Sequence, residues 1–394
     1  MTPAYAIPPE FGRDVRHWRT WSLVAGGVLF LGSILGGIFN PDQFFRSYLL
    51  GYLFWIAFPL GAMALVMVQY LTGGAWGVIS RRPLESAMRT LPVIAVLFAP
   101  IFIGMRVLYG WSHGDVVAAD AALRHRHVYM NAASFMIRTV VYFAIWLAFA
   151  HLLTKWSDEE DARGNRLRSL AALSAPGLIV YVFTMTFASV DWAESLVNNW
   201  SSTIWGFIFV IGQGLTALAF VIAVLAVLSR RQPMAPVAGP RIFHDLGKLL
   251  LMFVMLWAYF EFSQLLIVWA GDLTDEIPWY LPSFKTSWRW FGAALMVLQF
   301  VVPFLLLLSR EVKRSSAALC SVAAIVIAMR FVDLFWIVMP AYHEFGVHVH
   351  WLNFSVPLAI GGLWIAAYLW ELQRRPLLPL QAPNLEEALS HARH

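Results

Sequence analysis

Charge is what this sequence has least of. Only 13% of its 394 residues are Asp, Glu, Lys or Arg, while 60% are hydrophobic. A soluble domain carries about a quarter charged residues, so a soluble all-helical fold is excluded. Cysteine is nearly missing. Cys320 alone, set in an apolar run, leaves no route to an intrachain disulfide, an iron–sulfur cluster or a Cys-rich zinc site on this chain. Histidine is missing from the interior of every apolar run. All eleven (His17, His113, His125, His127, His151, His244, His343, His348, His350, His391 and His394) fall in tails, loops or run ends. A transmembrane b-type haem takes axial ligands that project into a helix bundle, so a cytochrome b is not expected, and no cofactor is assigned to this chain. No Walker motif, GxGxxG fingerprint or nucleophile elbow occurs in a credible context. The polar, proline-bearing start, Met1 to Phe11, is not expected to be a cleavable leader.

What the chain does have is length in its apolar runs. Blocks of twenty or more apolar residues match the roughly 30 Å of hydrocarbon in a bilayer, and mean hydropathy is +0.66. The fold class expected is all-α, a polytopic membrane protein with ten spans at 19–40, 47–71, 86–111, 130–154, 169–192, 201–229, 243–270, 285–309, 315–339 and 350–371. Residues 1–18 form an N-terminal tail, 19–46 a peripheral span, 47–200 a first bundle, 201–342 a second, 343–371 the last span and 372–394 a C-terminal tail.

The basic residues orient these spans. Alternate segments hold Arg13, Arg16, Arg19, Arg81, Arg82, Arg89, Lys155, Arg163, Arg166, Arg168, Arg230, Arg231, Arg241, Arg310, Lys313, Arg314, Arg374, Arg375 and Arg393. The opposite set has Arg46, Arg124, Arg126 and Lys285. The positive-inside rule then puts both termini in the cytoplasm. A pI near 9.4 is explained by this orientation, and nucleic acid is not an expected partner. A weak repeat supports two bundles: Gly51–Val66 aligns with Gly206–Val221, and Val190–Asp191 with Val332–Asp333. The first alignment also sets Arg106 on Glu261.

Ionisable residues inside spans are costly unless paired or wetted, so function is sought there first. The candidates are Arg106, Arg138, Asp191, Glu194, Glu261, Arg330 and Asp333, all in the outer halves of their spans, with His244 and Asp245 at the inner end of the seventh. Arg138 lies roughly 12 Å below the outer end of its helix at 1.5 Å per residue. Arg330 and Asp333, like Asp191 and Glu194, are three apart and would share a helix face. Such groups fit a proton path, and they fit helix packing by ion pairs equally. The nearly all-apolar sequence between the two depths allows at most two half-paths. His343, Glu344, His348 and His350 contain metal-ligating types, but scattered ligands in a surface loop are not expected to form a metal site.

Several segments are recognisable: SYLLGYLFWIAFPLGAMALVMVQYLTGGAWG (47–77), FASVDWAESLVNNWSSTIWG (187–206), HDLGKLLLMFVMLWAYFEFSQLLIVWAGDLTDEIPWYL (244–281), MRFVDLFW (329–336) and HWLNFSVPLAIGGLWIAAYLW (350–370). Together they resemble the ActF subunits of bacterial alternative complex III, NrfD/PsrC-like membrane subunits of a quinol:electron-acceptor oxidoreductase. The resemblance implies two four-helix bundles. It also implies a place in the bacterial cytoplasmic membrane among an ActC-like paralogue, multihaem cytochrome c subunits, an iron–sulfur subunit and small membrane subunits, with a terminal oxidase as a further partner. Haem c and iron–sulfur clusters would belong to those chains, and quinone is the small molecule at issue. Carried onto this sequence, it points to Asp191 in SVDW, Arg330 and Asp333 in RFVD, and His244 and Asp245 in HDLGK. The expectation is a non-haem subunit, structural and proton-conducting through half-paths, that is not catalytic alone. The competing readings are a quinol-binding subunit using Asp191, Glu194 and Trp192, a stand-alone proton-coupled transporter, and a pure scaffold.

Overall fold

The computed structural model describes residues 5–198, 200–273, 277–379 and 385. Most of the expected C-terminal tail, with His391, Arg393 and His394, lies outside the described residues. The described chain is helical, and ten helices are long and apolar enough to cross a membrane. They are α1 (Pro9–Phe39), α2 (Pro41–Thr72), α3 (Ala75–Ile103), α4 (Ala132–Arg163) and α5 (Leu167–Leu196), followed by α6 (Trp205–Leu228), α7 (Pro240–Gly271), α8 (Arg289–Leu308), α9 (Ser316–Ala341) and α10 (Leu352–Leu372). Ten crossings bring the two ends of the described chain to one face, called here the terminal face, where the Leu377 amide donates to the Tyr5 carbonyl at 3.0 Å.

Helices α2 to α5 pack as one four-helix group and α6 to α9 as another. The seam between them is α2 against α6, the two helices that the sequence repeat aligns and the two most deeply buried. A Cβ on Gly61 would run into the Gln213 carbonyl of α6, so a residue without a side chain sets the approach of these two backbones. The same device joins α1 to α10, where Gly26 meets Gly362. Helix α1 packs mainly on α10, and α10 in turn lies on α2.

Several boundaries differ from the sequence reading, for physical reasons. Helix α1 begins at Pro9, because proline suits a first helical turn whose N–H groups have no partner. Helix α3 begins at Ala75, not 86, so Arg81, Arg82 and Glu85 stand inside a helix and are buried. That helix is broken around Leu97–Phe98, between Pro92 and Pro100. The Phe98 and Ile101 amides turn to the Ala95 and Phe98 carbonyls, which frees the carbonyls of Ile94 and Leu97. Tyr52 donates its hydroxyl to Ile94 at 3.0 Å and Tyr48 to Leu97 at 2.7 Å. The break is therefore stapled by α2. Helix α8 carries a π-helical turn over Leu295–Val301, just before Pro303, the usual company of a kink.

Candidate functional site

The intramembrane charges gather in separate clusters. On the face opposite the termini, the first bundle holds Arg138 and Asp191. Arg138 forks onto the carboxylate, Nε to Oδ2 at 2.9 Å and Nη2 to Oδ1 at 2.7 Å, and the Tyr142 hydroxyl donates to Oδ2 at 2.9 Å. The remaining guanidinium nitrogen donates to the Tyr129 carbonyl at 2.7 Å, and the Tyr129 ring lies 3.7 Å beneath. Burial pushes the Tyr129 phenol up to about 12, helped by Asp191 and opposed by Arg138. Both Asp191 oxygens are matched and Trp192 is fully buried among aromatic rings. The carboxylate is thus fully matched, while the buried Tyr129 hydroxyl beside it has no partner among the described residues.

Glu194 does not join it. Helix α5 is regular only to Trp192 and passes into a 3₁₀ turn at Glu194–Leu196, so the expected shared face with Asp191 is lost. Glu194 instead accepts the Ser202 amide at 3.0 Å, and Ser202 donates its hydroxyl to Gln264 on α7. Arg106 also stands apart. It is exposed in a four-residue helix beyond α3, after the turn at Gly104, so its alignment with Glu261 has no counterpart in position.

The second bundle is arranged differently. Arg330 pairs with Asp333 one turn along α9, and the Trp257 indole donates to Asp333 Oδ2 at 3.3 Å. A Cβ on Gly212 of α6 would overlap the Arg330 guanidinium. Asp333 Oδ1, Arg330 Nε, Glu261 Oε1 and both amide atoms of Gln299 are buried with no partner among the described residues, the condition that ordered water or a ligand relieves. Beside them opens a cavity of about 400 Å³, with Glu261 and Asp333 in its wall among Trp257, Phe262, Tyr280 and Trp336. Glu261 is half-buried because it faces this space. Burial pushes the Tyr280 phenol well above its ordinary value and the Glu261 carboxylate adds to the rise, so Tyr280 is a neutral hydrogen-bonding group at the rim. Lining this one cavity are two acids, the exposed Arg289, a phenol and an apolar aromatic wall. Such a site can hold water, pass a proton between carboxyl groups, or seat a flat amphipathic molecule.

At the terminal face His244 and Asp245 open α7. Their ring nitrogen and carboxylate are 4.0 Å apart, and Lys248 takes Asp245 at 3.2 Å. Reading the sequence missed the larger cluster on this face, because Arg81, Arg82 and Arg89 counted there only as loop charges. Arg82 pairs with Glu85 at 2.5 Å and with Asp161. Ser157 and Tyr70 donate to Glu85 at 2.6 and 3.2 Å. Arg89 reaches Asp158 and Glu371, and Arg375 pairs with Asp158. The i, i+3 spacing of Arg82 and Glu85 was the available signal. Between the two faces the buried Tyr181 hydroxyl donates to Gln213 at 2.6 Å, a polar step that the sequence reading did not identify. Among the described residues no group of three His, Cys, Asp or Glu side chains is placed to hold a metal ion.

No protein-family model matches this sequence, and no curated protein matches it.

Proposed function

We propose that this chain is a non-haem membrane subunit of a quinol:electron-acceptor oxidoreductase, with both termini cytoplasmic, that moves protons through acid-bearing half-paths. The observation that carries the proton role is the cavity of the second bundle, where Glu261 and Asp333 both keep an unpaired buried oxygen. A carboxylate held only for packing is matched, as Asp191 is. One left with free lone pairs beside a cavity is disposed to exchange protons with water. At the terminal face Glu85 is matched in the same way as Asp191, and the Tyr181–Gln213 pair lies between the two faces. Electron carriers, haem c and iron–sulfur clusters, sit on partner chains, among them an ActC-like paralogue. Membership of such a complex is an inference from the resemblance of the segments quoted above.

The test is mild extraction followed by reconstitution in liposomes. Haem-containing partners should accompany the chain, and E261Q and D333N should lower the protons moved per electron with assembly intact. An unchanged ratio in both variants would return these residues to packing, and isolation as a lone functional protein would favour a transporter. The cavity's aromatic wall also favours a second reading, in which this chain itself binds quinol at Glu261. A photoreactive quinone analogue separates the two, by labelling either this cavity or a partner chain.

A further inference from the structure

A second cleft lies at the terminal end of the second bundle, lined by Arg241, His244, Asp245, Lys248, Arg310 and Arg314, with a volume of about 380 Å³. Four permanent cations face a single carboxylate, Asp245, that Lys248 already engages at 3.2 Å. The cleft exists because the short helix Arg310–Arg314 presses on α7 at Gly247, where a Cβ would meet the Lys313 stem at 2.7 Å.

Its position gives the charge a meaning. Arg241 and Lys248 stand in the first turns of α7, and Arg310 follows directly on the end of α8 at Leu308. The cleft therefore sits at the ends of two adjacent apolar segments, the depth at which headgroups lie. The apolar surface continues from it. Residues 241, 245, 248, 252, 255 and 259 recur every three or four positions and so share one face of α7. Along that face Met252, Met255 and Tyr259 are exposed, as are Leu305 and Leu308 on neighbouring α8. Cations at one end of an exposed apolar strip match an anionic head attached to acyl chains.

We propose that this cleft binds the headgroup of an anionic phospholipid, with the acyl chains lying along the exposed faces of α7 and α8. A basic residue near a lipid surface contributes roughly fivefold in affinity, so removing three costs about 100-fold.

The experiment uses the full-length chain in phosphatidylcholine nanodiscs doped with phosphatidylglycerol, with bound lipid counted by native mass spectrometry. The wild type should retain phosphatidylglycerol over phosphatidylcholine, and excess inorganic phosphate should not displace it. R241Q/R310Q/R314Q should lose that retention, while K285Q on the other face keeps it. Should the triple variant unfold, exposed R310Q alone should weaken retention about fivefold, and R310K should restore it. Equal retention in wild type and R310Q, equal uptake of phosphatidylcholine, or displacement by phosphate would each overturn the assignment.

Discussion

The Arg330 guanidinium lies against the bare Cα of Gly212, in the space that a Cβ would fill. Arg330 is buried and paired with Asp333, three residues along the same helix, so it cannot swing away without breaking that pair. Gly212→Ala should therefore destabilise by about 1–3 kcal/mol, the usual cost of overpacking, although alanine is the better helix former by about 1 kcal/mol. Unfolding in detergent measures this. A variant as stable as the wild type would mean that the guanidinium has other room.

The two acid clusters should respond oppositely to neutralisation. Asp191→Asn strips a two-pronged partner from Arg138 and one acceptor from Tyr142, which should cost about 1–3 kcal/mol. Glu261→Gln replaces an acid that has an unmatched oxygen by a neutral amide and should leave stability unchanged or raise it. The unfolding midpoints of the two variants decide the matter, and a larger loss in Glu261→Gln would show that Glu261 is a packing acid.

Tyr48→Phe and Tyr52→Phe each leave a freed carbonyl of α3 without its donor. Each should cost about 1 kcal/mol or somewhat more, and hydrogen exchange should quicken around residues 94–104. Unaltered exchange there would mean that the helix holds its break without help from α2.

The loop before α10 should weaken in acid. Burial, then the Arg46 and His348 charges, lower the His343 pKa, and burial and His348 lower that of His350. A base whose folded value is depressed binds more protons when unfolded, so its stabilising contribution is present above the unfolded value of about 6.5 and fades as pH falls below it. Protection of residues 343–351 from exchange should drop between about pH 7 and pH 5, and His343→Gln should flatten the profile. An identical profile in that variant would exonerate His343.

The ten helices were legible because apolar runs of membrane length leave few alternatives, and the ion-bearing spans were legible from the rarity of their charges. Pairing was less so. Arg330 and Asp333 meet because three residues separate them on one helix, which a sequence states directly. Arg138 meets Asp191 across two helices, which it states only as two charges at similar depth. Glu194 departed from its expected partner because the helix ends at Trp192. The Glu85 network stayed hidden because its arginines passed for loop residues once the start of α3 was set too late. The cavity was invisible from any single run, since Glu261, Tyr280, Met296 and Asp333 come from different helices.

Two of the proline-bearing helices have opposite mechanical characters. In α3 the break is pinned by two phenols, so the bent rod moves as one piece with α2. In α8 the π turn next to Pro303 carries Gln299, whose amide finds no partner among the described residues, and the turn lines the cavity with Leu295, Met296 and Phe300. That turn forms part of the wall that faces Glu261 and Asp333. A register slip of that single turn would reshape the chamber while the rest of the scaffold stood still.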